Sequence, residues 1–73
     1  MQTRNQPTGV NAEIRAGMAR LGLRQSDVAT ALDISQASIA DRLNGRRDWR
    51  LAELKKVAGL LGVPLATLLE DAA

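Results

Sequence analysis

The chain has 73 residues, 45% of them hydrophobic and 25% charged, with a formal net charge of +2. That length bounds one small domain, which buries only about 60% of the surface its unfolded chain exposes. Cysteine, histidine, tyrosine and phenylalanine are absent, which excludes disulfides, thiolate or imidazole metal sites, Ser-His-Asp and Cys-His catalysis, and the aromatic platforms that stack single-stranded bases.

Residues 1–9 are almost free of apolar side chains and contain Pro7 and Gly9, a composition that predicts a flexible arm. Helical spacing starts at Val10. Val10, Ile14, Met18 and Leu21 form one stripe, and Gly22 fits the position after the helix end, so helix one is expected at about 10–21. A second helix, about 25–32, carries Val28, Ala29 and Leu32 on one face. Asp33 interrupts it. Ser35 is a good N-cap for a third helix, about 36–43, whose stripe is Ile39 and Leu43. Asn44-Gly45 stops it. Asp48 is expected to cap a fourth helix, about 49–61, with Leu51, Leu54, Val57, Ala58 and Leu61 buried. Gly62 ends it, and Pro64 opens a fifth with Leu65, Leu68 and Leu69 on its apolar side. No segment alternates with period two. The expected fold is all-α, a compact bundle of five short helices, since helices this short are marginal alone.

Charge is unevenly placed. Residues 1–41 balance. Residues 42–56 carry Arg42, Arg46, Arg47, Arg50, Lys55 and Lys56 against Asp48 and Glu53, a net +4, and residues 57–73 sum to −2. The cluster reads either as a solvated face or as the footprint of a directed anionic partner. No stretch approaches the ~20 apolar residues of a membrane span, and no targeting segment is read at the N-terminus, so a soluble, cytoplasmic protein is expected. Neither a metal, nor a cofactor, nor a small-molecule ligand is implied, and an enzyme is not expected.

The stretch from Gln25 to Gly45 is helix, sharp turn, helix. Ala29 lies where the second helix must approach closely, and Ile34 in the turn is apolar. Opposite Ile39 and Leu43, the third helix turns out Ala37, Ser38 and Asp41, with Gln36 at its tip. Such a face suits a groove floor. Gln can bond adenine bidentately, Ser can donate or accept, an Ala methyl can meet a thymine methyl, and Asp can accept from cytosine. Asp41 has the alternative of pairing with Arg42, Arg46 or Arg47.

Leu21-Gly22-Leu23-Arg24-Gln25, Val28-Ala29, Ile34-Ser35-Gln36, Ile39, Leu43-Asn44-Gly45 and Leu51-Ala52-Glu53-Leu54 through Ala58 to Leu61-Gly62-Val63 stand in the order and spacing of a known family. Over about residues 10–69 the chain resembles the phage-repressor/Cro helix-turn-helix regulators, the lambda-repressor-like DNA-binding domains. The resemblance implies a recognition helix at about 36–43 whose Gln36, Ala37, Ser38 and Asp41 face base edges. It implies phosphate contacts by Gln25 and by Asn44 with the basic loop after it. The residues themselves extend that set: Ser35 at the helix N-terminus, then Arg46, Arg47 and Arg50. Arg4 in the arm is a candidate for the minor groove.

Two departures from the family pattern stand out: Asp33 where a turn glycine is usual, and Trp49-Arg50 where proline and a small capping residue are common. Asp tolerates the left-handed region better than most residues, and Trp49 reads as a lid on the core edge or a dimer contact. The expected domains are the arm 1–9, a DNA-binding domain 10–70 and a tail 71–73 whose Ala72-Ala73 resembles a protease-recognised end. The leading expectation is a sequence-specific double-stranded DNA-binding repressor of phage or bacterial type. It would occupy an operator in the bacterial cytoplasm and nucleoid, with a homodimer formed in solution or on DNA. The alternative is a protein-interaction module such as an antitoxin or regulatory partner subunit.

Overall fold

A computed structural model describes residues 9–69. Residues 1–8 of the arm, with Arg4, and the tail with Ala72-Ala73 lie outside the described residues; Gly9, read as the last residue of the arm, instead opens the first helix and is buried. Five helices follow in order: α1 Gly9–Leu21, α2 Gln25–Leu32, α3 Gln36–Leu43, α4 Leu51–Leu61 and α5 Leu65–Leu69. No strand occurs among the described residues, and no helix there is long and apolar enough to cross a membrane. α1 packs on α3, α4 and α5, α2 packs on α3 and α4, and α4 packs on α5. One core results. Ile14, Val28, Ile39 and Val57 are fully buried at its centre, with Met18, Ala29, Leu32, Leu43, Leu54, Ala58, Leu61 and Leu68 around them. α1 crosses α4 closely because Gly17 has no side chain. A Cβ there would lie 2.8 Å from Leu61 Cδ1.

Beyond the start of α1 at Gly9, three features depart from the sequence reading. α4 starts at Leu51, not 49, and Asp48 does not cap it. The residue before the helix is Arg50, whose amide donates to Glu53 Oε1 at 2.9 Å, so the carboxylate three residues in reaches back to satisfy a free helix-end donor. Leu21, Leu51 and Leu69 are exposed, by 49%, 56% and 39%. Each is the first or last residue of its helix, where the apolar stripe runs past the body. Arg42 is buried, although it was counted with the basic cluster. It stands at i+3 from Ile39, beside Leu43, on the inward stripe of α3.

The helix ends share one device. After α1, α2, α3 and α4 the residue in the left-handed region is Gly22, Asp33, Gly45 and Gly62. In each case the next amide returns to a carbonyl five residues back: Leu23 to Met18, Ile34 to Ala29, Arg46 to Asp41 and Val63 to Ala58, at 2.8 to 3.1 Å. This is the Schellman arrangement, which favours an apolar residue at the returning position. Leu23, Ile34 and Val63 obey and pack against the core. Asp33 takes φ 59 and ψ 42 in the turn between α2 and α3, a conformation Asp adopts more readily than most residues.

Candidate nucleic-acid interface

At the end of α3 the returning residue is Arg46, not an apolar one. Its side chain is 76% exposed. A geometry that elsewhere folds a hydrophobic side chain onto the core here holds a guanidinium out in solvent, with its backbone fixed by the Asp41 carbonyl at 2.8 Å. Arg47 follows, exposed, its amide on the same carbonyl at 3.3 Å.

α3 begins at a side-chain cap. Ser35 Oγ accepts from the Ser38 amide at 3.0 Å and donates to Ser38 Oγ at 3.0 Å. Gln36 and Ala37 are exposed, and Ser38 and Asp41 are half-buried, while Ile39, Arg42 and Leu43 face inward. The structure therefore brings Gln36, Ala37, Ser38 and Asp41 onto one outward side of α3. Of the partners the sequence left open for Asp41, Arg46 is the one present: Asp41 Oδ1 lies 3.8 Å from Arg46 Nη1. Arg42 turns instead to Glu53.

Among the other sequence-selected residues, Gln25 is half-buried at the first position of α2. The preceding Arg24 amide donates to Asp27 Oδ2 at 2.8 Å. Asn44, exposed, closes α3, and Arg50 stands exposed before α4. Trp49 sits as a lid on the core edge: half-buried against the core, it donates its indole N–H to Asn11 Oδ1 at 2.7 Å.

Sequence reasoning passed over Arg15. Its Nη2 donates to the Leu43 carbonyl at 3.2 Å and to Asn44 Oδ1 at 3.1 Å, placing a cation at the negative end of α3, where the helix dipole favours it. Only the packing of α1 on α3 reveals this, since 29 positions separate Arg15 from Asn44.

The sequence also gave no role to Glu53. Its two oxygens take Arg42 Nε and Nη2, each at 2.9 Å, while Arg42 Nη1 donates to the Ser38 carbonyl at 3.0 Å. The two side chains are only 5% and 15% exposed. Arg42 also lies 6.0 Å from the Trp49 ring centre, within cation–π reach. The Arg42 fork and the Arg50 amide hold the Glu53 carboxyl below its usual range, against the opposing effect of burial. This pair is neutral as a unit. The cluster's exposed members are Arg46, Arg47, Arg50, Lys55 and Lys56 against Asp48, so all of its net +4 stands on the surface.

The helix-turn-helix family model matches residues 14–68, most of the chain and all of α2, α3 and α4. No curated protein matches it. With the two helices, the left-handed turn at Asp33 and this match together, the chain belongs to the Cro/repressor-type helix-turn-helix family of DNA-binding regulators.

Proposed function

We propose that the protein is a sequence-specific repressor of phage or bacterial type that acts by occupying an operator in double-stranded DNA. α3 enters the major groove. Gln36, Ala37, Ser38 and Asp41 meet base edges. Gln25, Ser35, Asn44, Arg46, Arg47 and Arg50 contact phosphates, which fix register without reading sequence. The observation that carries this reading is the pairing of a small-residue outer face on α3 with Arg46, exposed where the fold elsewhere buries an apolar residue. The proposed DNA-binding domain is residues 10–70, and Arg4 before it is a candidate contact for the adjacent minor groove.

Two copies occupy a pseudo-palindrome one helical turn apart. Exposed Leu51 and Leu69, on α4 and α5, favour contact between copies through those helices. The same leucines favour the rival reading, a module that binds another protein chain. Selection from random duplexes separates the two. Enrichment of one motif, bound more weakly as salt rises, supports the repressor. Salt-sensitive binding without any enriched motif overturns sequence reading, and no binding at all favours the protein-interaction module.

A further inference from the structure

The basic loop from Asn44 to Arg50 joins α3 to α4, and a single carboxylate ties its two ends. Glu53 Oε1 accepts from Arg42 Nε, on the last turn of α3, and from the Arg50 amide, at the entry to α4. Glu53 Oε2 takes the second arm of the Arg42 fork, and the third Arg42 donor reaches the Ser38 carbonyl. The connection therefore runs from the Ser38 carbonyl in the α3 backbone, through a buried guanidinium, to the far end of the loop. Trp49 covers it and is itself held to α1 by Asn11. Between the anchors, Arg46, Arg47 and Asp48 point into solvent.

A helix cap alone would not need this. Glu53 could satisfy the Arg50 amide as an ordinary capping carboxylate, and replacing both members of a buried ion pair by apolar groups is often neutral or stabilising, so stability alone does not account for the pair. What the pair adds is geometry. A bidentate fork fixes both distance and angle between α3 and the start of α4, and with them the span over which the loop arginines are presented.

We infer that Arg42 and Glu53 are positioning residues for DNA binding: they hold the Asn44–Arg50 loop in register with α3, so that Arg46 and Arg47 reach phosphates while the outer face of α3 lies in the groove. Neither touches DNA. The inference rests on the function proposed above, and its test distinguishes the two.

The experiment uses the full chain and a net-charge-neutral change, Arg42→Leu with Glu53→Leu, so long-range attraction to DNA is unchanged. Folding is checked by thermal unfolding, and affinity for a selected duplex and a random one is measured across a salt series. The wild type is expected to bind with a steep salt dependence. The folded double variant is expected to lose roughly tenfold or more on both duplexes, with a salt slope shallower by about one to two phosphate contacts. Arg42→Leu with Glu53→Gln, which returns an acceptor to the Arg50 amide, is expected to recover part of that loss. Should the double-leucine chain not fold, Arg42→Lys with Glu53→Asp keeps both charges, shortens the bridge and is expected to show the same loss and shallower slope. A folded variant that binds with wild-type affinity and slope overturns the inference and leaves the proposed function standing. A wild type that binds no duplex overturns both.

Discussion

Asp41 serves Arg46 twice: its carbonyl accepts the Arg46 amide at 2.8 Å, and its carboxylate lies 3.8 Å from the guanidinium. The first contact fixes the loop. The second is an exposed ion pair, and such pairs contribute little to stability. Beside phosphates, however, the carboxylate repels. Asp41→Asn is therefore expected to shift folding stability by less than about 0.5 kcal/mol and, with Asp41 on the reading face, to lose affinity at one cytosine-containing position of the site. A several-fold gain on every duplex, with no loss at any single position, would instead remove Asp41 from the reading face. Gel-shift titration of both proteins on single-base variants of the selected site decides it.

Gln36 and Arg46 should fail in different ways. Gln36→Ala should cost about 1–3 kcal/mol at one base position and relax specificity there. Arg46→Ala should weaken all sequences alike and reduce the salt slope by about 1. Competition binding against a panel of site variants separates the patterns, and Gln36→Ala with an unchanged profile would remove Gln36 from the reading face.

Gly59 lies inside α4, exposed, and a Cβ there meets nothing within 4 Å. Glycine in a helix interior costs about 1 kcal/mol relative to alanine. Gly59→Ala should raise stability by about that amount in urea unfolding and leave DNA affinity unchanged. A loss of affinity would place the α4 surface at the interface.

The half-buried Glu53 carboxylate sets an acid limit. Glu53 is held below the ordinary glutamate value of 4.5, first by the Arg42 hydrogen bonds and then by the Arg50 amide. The unfolded chain therefore takes up this proton before the folded one does. Stability from the pair is present above the ordinary value and is lost as pH falls through the lowered folded one. Thermal unfolding followed from neutrality down to about pH 3 should show this fall in the wild type and a flatter profile in Glu53→Gln. Superimposable profiles would assign acid sensitivity to other carboxyls.

Much of the scaffold was legible because its signals are local. The extents of α2 and α3 follow from Ser35, Asn44-Gly45 and the apolar spacing between them, and the left-handed turn at Asp33 follows from the family's turn glycine at that place together with the tolerance of Asp for that conformation. α4 was misplaced at its start because Asp48 and Glu53 both offer a carboxylate to the helix end, and only three-dimensional reach decides for Glu53. Leu21, Leu51 and Leu69 were assigned to the core because periodicity does not say where a stripe outruns its neighbours. Arg42 was read as surface charge, although its spacing from Ile39 put it on the inward stripe. Residue type outweighed position, and the compensating carboxylate lies eleven residues on. Arg15 could not be linked to Asn44 without the packing of α1 on α3. The outer face of α3 followed from helical geometry, whereas the loop that frames it depends on contacts the sequence does not advertise.

The central claim is that DNA meets the outer side of α3 together with the loop after it. Titrating a selected duplex into isotope-labelled protein and following amide resonances tests it most directly. The account predicts the largest shifts at Ser35–Asp41 and Asn44–Arg50, with the outer residues of α4 around Gly59 nearly still. Shifts concentrated on α4 and α5, with Gln36, Ala37 and Ser38 unmoved, would contradict it.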